Sequence, residues 1–500
     1  MKTHRTPRLL AFTAATALLL TGCGAGDSGG SKASDGARGG QAFPAPSAPR
    51  GTEDDAAEND EADPDHLSTF ALDVDTASYG YVRRTLADGR RPDPSTVRPE
   101  EFVNSFRQDY ERPDGNGFSV TVDGARTGDD DWSLVRVGLA TRPAKKQAER
   151  PPAALTFVID VSGSMGEPGR LDLAKSSLNT MTDRLRDDDS VAIVTFSGEA
   201  ETVLPMTRLG DHGRDRVHDA VDDLEPDDST NLGAGVETGY ATAVEGLRKG
   251  ATNRVVLVSD ALANTGDTDA DDILERIDTA RREHGITLFG VGVGSDYGDA
   301  LMERLADKGD GHTAYVATEA DATKVFSTDL PQNVDLTARD AKAQVAFDPE
   351  TVADFRLVGY DDRRVADDDF RDDRVDGGEV GPGHTVTALY AVRTRPGADG
   401  HLATATVRWL DPDTRTPHET TGQLETGALH DDLADASVRF QVTAAAAYFA
   451  DALREGDHPL PDAPSLSELA DRAEALAKKT EDKQVSDLAN AIGRARRLGV

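Results

Sequence analysis

The sequence predicts an α/β protein. A doubly wound, mainly parallel sheet spans residues 152–335, with a small α+β module before it at 67–145. A β region at 336–428 and a helical region at 429–500 follow it. Three observations carry this. Solid apolar runs recur at 155–159, 191–196 and 255–258, as expected of parallel strands covered on both faces. Between them the apolar residues fall at helical spacing, as in Leu171, Ala174, Leu178, Met181 and Leu185. After Val334 the pattern turns to short alternating strands punctuated by Gly, Pro and Asp.

Element by element, residues 69–75 alternate like a strand, 77–86 and 98–106 suit helices, and 132–140 alternate again. This stretch reads as an independent module, bounded by the proline-bearing segment 142–152. In the central region, Val217, Val221 and Leu224 mark one helix, 233–247 another, and Ile273, Leu274 and Ile277 a third. Residues 288–293 and Tyr315-Val316 supply further strands. Gly290-Val291-Gly292 lacks dinucleotide-loop spacing and reads as close packing. Toward the end, 386–392 and 404–409 alternate, and stripes beginning at Val438, Leu466 and Val485 mark three helices.

Among the 500 residues, 91 acids face 55 Lys and Arg, a formal charge of −36. Nucleic-acid binding through a basic face is therefore excluded as a reading, since phosphate contact needs clustered cations. The single cysteine, Cys23, rules out an intramolecular disulfide and a thiolate zinc cluster. Ahead of it, Lys2, Arg5 and Arg8 precede a twelve-residue apolar run, 9–20, too short to span a bilayer. The ending Leu20-Thr21-Gly22-Cys23 resembles the lipobox of bacterial lipoproteins. That resemblance implies a signal peptide over 1–22, acylation of Cys23, and a cell-membrane location facing outward. Residues 23–66 are Gly, Ser, Ala, Pro, Asp and Glu and read as a flexible tether. Such a chain spans roughly 35–40 Å.

Ligands of open parallel sheets bind beyond the carboxyl ends of the strands. The first apolar strand runs into Asp160-Val161-Ser162-Gly163-Ser164 and the third into Ser259-Asp260. Thr230 precedes the helix at 233. The two carboxylates and three hydroxyls of Asp160, Ser162, Ser164, Thr230 and Asp260 would converge on one sheet edge. An all-oxygen set of this kind suits Mg²⁺ (or Mn²⁺). With only two charged ligands the ion stays electrophilic, open to a carboxylate from a protein partner.

Those five residues resemble the metal-ion-dependent adhesion site of von Willebrand factor type A domains, and the strand–helix order of 153–334 is similar to that fold. The resemblance implies a binding protein that takes up a partner carboxylate, and no catalysis. Flanking stretches, 68–79, 355–360 and 383–390, resemble a bacterial lipoprotein subfamily carrying such a domain. In the family the residue after the last aspartate is usually glycine; here it is Ala261, which adopts positive φ only at a cost and is expected to shift the loop.

Plainer and rival readings stand beside this one. The hydroxyls would serve as helix caps if no metal bound, leaving a metal-independent scaffold of an envelope complex. Ser164 approximates the centre of a nucleophile elbow, but His284 and His312 have ordinary surface or loop contexts. Asp73-Val74-Asp75 offers paired aspartates after a strand, as phosphatases use for Mg²⁺, although a strand turn is the simpler reading. The acids at 267–272 suggest a calcium loop, but they lack its glycine and fit better as a helix start.

Overall fold

The computed structural model describes residues 66–500 apart from 129–130, 144–149, 261–272, 295–301, 306–310, 331–335 and scattered stretches of one to three residues. The segments around Cys23, Ala261 and 267–272 lie outside the described residues.

In chain order, β1 (Leu67–Ala71), α1 (Ala77–Ala87), α2 (Pro99–Asn104), β2 (Phe118–Arg126) and β3 (Trp132–Thr141) come first. The central region contains β4 (Ala153–Asp160), α3 (Leu171–Arg184), β5 (Ser190–Phe196), β6 (Ala200–Arg208), α4 (Gly213–Asp222) and α5 (Leu232–Glu245). It continues through β7 (Thr252–Ser259), β8 (Thr287–Val293), β9 (His312–Val316) and α6 (Glu319–Lys324). The remainder comprises β10 (Ala338–Phe347), β11 (Val352–Leu357), β12 (Gly378–Val380), β13 (Thr385–Thr394), β14 (His401–Leu410) and β15 (Pro417–Glu425). It closes with α7 (Val438–Arg454), α8 (Leu466–Thr480) and α9 (Lys483–Leu498).

The central sheet has the order β6-β5-β4-β7-β8-β9. Neighbours from β5 to β9 are parallel, and only the edge strand β6 runs antiparallel. Helices cover both faces, which is why β4 is buried throughout. Leu155, Phe157 and Ile159 enter one core with Leu178 and Met181 of α3, while Val158 enters the other with Val236 and Tyr240 of α5. Two glycines seat α5: a Cβ on Gly235 would stand 2.6 Å from the Phe196 ring, and one on Gly239 2.2 Å from Val158 Cγ2. The reading of Gly290 as a packing glycine agrees with the fold, since a Cβ there would meet Met302 Cγ at 2.9 Å. The edge strand β6, with Pro205 inside it, was not among the expected strands. Its apolar signal is weak because much of it is exposed, and proline is tolerated there because an edge needs fewer ladder bonds.

The remaining segments correct one expectation. Residues 67–145 do not form an independent module. β1 pairs with β10, and β3 is flanked by β2 and β13, giving two antiparallel sheets, β1-β10-β14-β15 (with β12 on β10) and β11-β13-β3-β2. The inward residues Val135, Val137 and Leu139 of β3 share a core with Val345, Tyr390 and Leu402. The central domain is thus inserted between β3 and β10 of a β-sandwich. The physical reason is that a lone β2–β3 hairpin is marginal in water, and β1 has no partner before β10 is made. On the sandwich's outer face, Leu134, Leu389 and Ala391 pack with Phe102 of α2 and Phe440 and Phe449 of α7.

The three flanking stretches, 68–79, 355–360 and 383–390, meet in this body. The rings of Phe70 and Tyr360 stand 4.7 Å apart, Tyr360 donates its hydroxyl to the Thr387 carbonyl at 3.1 Å, and Tyr390 donates to Ser68 Oγ at 3.2 Å.

Candidate metal centre

β4 and β7 are parallel neighbours, with Ile159 opposite Val258. The chain leaves β4 for β5 on one side and later returns to β7 on the other. Their carboxyl ends therefore open on the crevice at the topological switch point, where open α/β sheets bind ligands.

At the end of β4, Asp160 is fully buried. Its Oδ1 accepts the Ser162 backbone N–H at 2.8 Å and its Oδ2 accepts Ser259 Oγ–H at 2.5 Å. Ser162 and Ser164 hydroxyl oxygens lie 3.1 Å apart across the tight turn of 163–166. At the end of β7, Asp260 is fully buried too, and its Oδ2 accepts Arg170 Nη1 at 2.7 Å. The same Nη1 donates to the Ser164 carbonyl at 2.9 Å, so Arg170 joins the two strand ends.

Thr230, 1% exposed, lies in the loop before α5. That loop is pinned on both sides: Asp227 N–H donates to the Val161 carbonyl at 2.6 Å, and Asn231 N–H to the Ser197 carbonyl at 2.6 Å. Ser229 adopts φ 68° to make the turn, and Asn231 Oδ1 caps α5 by accepting Ala234 N–H at 3.2 Å. The fold thus links Asp160, Ser162 and Ser164 directly, ties in Asp260 through Arg170, and packs the Thr230 loop against Val161.

Burial pushes the Asp160 carboxyl above the usual range, and the Asp260 charge adds to this; the bonds from Ser259 and Ser162 oppose it. A buried carboxylate held in this balance is stabilised by a nearby cation. The donor set fits a hard dication. Oxygens on adjacent corners of an Mg²⁺ octahedron are about 2.9 Å apart at its usual bond length, close to the Ser162–Ser164 separation.

Sequence reasoning missed Ser259 and Arg170. Ser259 had a signal, being the residue before Asp260 at a strand end. Arg170 had none, because its role arises from the packing of the turn. Ser164 Oγ finds its hydroxyl partner in Ser162 rather than in an imidazole among the described residues. Of the two histidines weighed beside it, His284 is exposed and His312 is buried at the start of β9. The ordinary surface or loop context expected for His312 is thus replaced by a buried strand start.

This crevice, with its strand-end oxygens, defines the class: residues 154–328 are a von Willebrand factor type A domain. Residues 333–498 match the family described as the C-terminal region of uncharacterized protein YfbK, and 52–135 one described as von Willebrand factor. The chain is homologous to the YfbK protein of Escherichia coli (strain K12), 38% identical over 334 residues, which are 65% of this chain and 57% of that one. An uncharacterized protein of Synechocystis is 24% identical over 38% of this chain and 44% of its own. The chain thus spans about half the length of these relatives. A von Willebrand factor type A structure from Catenulispora acidiphila is similar at a TM-score of 0.47 and 16% identity, covering 76% of this chain and 91% of that one.

Proposed function

We propose that this protein is a cell-surface binding protein that captures an acidic side chain of a protein partner through Mg²⁺ (or Mn²⁺) at its von Willebrand factor type A domain. Domains of this type are protein-interaction modules. In this reading Asp160, Ser162, Ser164, Thr230 and Asp260 hold the ion, and Ser259 fixes the Asp160 carboxylate in place. The ion, when bound, supplies an electrophilic position for a carboxylate oxygen. Acylated Cys23 anchors the chain to the outer face of the membrane, and the segment 23–66 sets the domain apart from it. The observation that carries the reading is the pairing of two fully buried aspartates at adjacent parallel strand ends, with two hydroxyls spaced as octahedral neighbours.

Titration calorimetry of the full chain with Mg²⁺, beside Asp160→Ala and Thr230→Ala, tests it. The expected result is a saturable one-site component lost in both variants. Identical weak isotherms would refute the metal site, since an acidic chain binds divalent ions diffusely in any case. A second reading, a scaffold that docks without metal, draws support from Arg170, which already supplies Asp260 with a cation. Partner capture that survives chelation would favour it.

A further inference from the structure

A second buried group of metal-ligating side chains lies where the segment after β1 meets β9. Asp73, Asp75 and His312 are 4%, 3% and 3% exposed, and their ligand atoms all fall within 4.8 Å of one another. The carboxylates are firmly placed. Asp73 Oδ1 accepts the Asp75 N–H at 2.9 Å, and Asp75 accepts both the Thr313 N–H at 3.1 Å and the Thr313 hydroxyl at 3.0 Å.

His312 is not satisfied in the same way. Among the described residues neither ring nitrogen has a hydrogen-bond partner, although the ring is buried and Nδ1 faces Asp75 Oδ1 at 3.5 Å. Arg363 approaches at 3.5 Å from Asp73 and 3.9 Å from Asp75, so one guanidinium faces two carboxyl groups. Leaving a buried polar atom unpaired is unfavourable. In a neutral imidazole one nitrogen carries the proton and the other a lone pair, and a cation between that lone pair and the two carboxyl groups would satisfy the buried ring.

We propose that Asp73, Asp75 and His312 bind a second divalent cation that ties the N-terminal segment to strand β9. One imidazole with two carboxylates suits a transition dication, Zn²⁺ before Mg²⁺, because nitrogen is a poor ligand for the harder ion. The site shares no residue with the strand-end crevice and does not depend on the function proposed for it.

The test uses the full chain carrying Asp160→Ala, which silences the oxygen-only site. After exposure to Zn²⁺ and dialysis, elemental analysis is expected to find one zinc per chain, falling at least tenfold on adding His312→Gln. Loading the same Asp160→Ala chain with Mn²⁺ and recording electron spin echo modulation is expected to show a directly bound ¹⁴N, which no ligand of the other site can supply. The second measurement needs no change at His312, so it stands even where His312→Gln fails to fold. No retained zinc together with no nitrogen modulation would overturn the proposal, as would zinc retained in full by a folded His312→Gln chain.

Discussion

The guanidinium of Arg170 and the carboxylate of Asp260 form a buried ion pair at the strand-end crevice, with Nη1 2.7 Å from Oδ2 and side chains 4% and 0% exposed. Arg170 therefore competes for an oxygen of a residue assigned to the metal. Removing one partner of a buried pair typically costs about 3–5 kcal/mol. Arg170→Met, which keeps much of the stem, is expected to lower the melting temperature in chelator. The deficit narrows in saturating Mg²⁺, and apparent Mg²⁺ affinity rises several-fold. An equal loss with and without metal would mean that Arg170 only braces the turn.

At the opposite end of the central sheet, Asp189 takes Arg150 in a two-pronged contact, at 2.9 Å and 2.5 Å, and also accepts the backbone N–H groups of Ala153 and Arg186. Burial alone would raise this carboxyl, but the Arg150 and backbone bonds hold it below the usual range. Asp189→Asn keeps the shape and removes the charge. A loss of about 3–5 kcal/mol is expected, read as a lower urea midpoint with Mg²⁺ binding retained.

Glu100 lies in the interior where α2 meets Gly359, and a Cβ on that glycine would stand 2.0 Å from Glu100 Oε2. Burial pushes the Glu100 carboxyl up from 4.5 to about 8. The folded chain holds this proton more tightly than the unfolded one, so the stabilisation is full below pH 4.5 and is lost as pH rises toward 8. The slope is roughly 1.4 kcal/mol per pH unit inside that window. Glu100→Gln is expected to flatten the fall in melting temperature between pH 5 and 8.

His384 acts in the opposite direction. Burial lowers it from 6.5 to about 3. Its contribution is present above pH 6.5 and is lost as pH falls toward 3, because the unfolded chain takes up the proton first. Substituting His384→Gln should make stability less steep between pH 4 and 6.5, measured by denaturant midpoints at fixed salt.

The central domain was legible because its strands are buried on both faces, so 155–159 and 255–258 appear as unbroken apolar runs. Asp160, Ser162, Ser164 and Asp260 drew attention because they follow two of those runs, and Thr230 because it precedes a helix start. The sandwich was harder. Alternation marks 69–75 and 404–409 as strands, but says nothing of which strand lies beside which, and β1 finds its partner only across the whole inserted domain. Arg170 and His312 were beyond reach for another reason. Each is an ordinary residue in sequence, and only packing places one against Asp260 and the other against Asp75.

The pairing of β1 with β10 has a mechanical consequence. Leu67 stands opposite Ala346 and Ala71 opposite Lys342, with the ladder antiparallel. The chain enters this pair at the Leu67 end of β1, and the inserted domain joins β10 at its far end, Ala338. A pull between a captured partner and the surface anchor proposed at Cys23 would therefore grip the two strands at opposite ends. Such a load shears the ladder, straining its bonds together instead of peeling them apart one after another, and shear is the direction in which a β-ladder resists best.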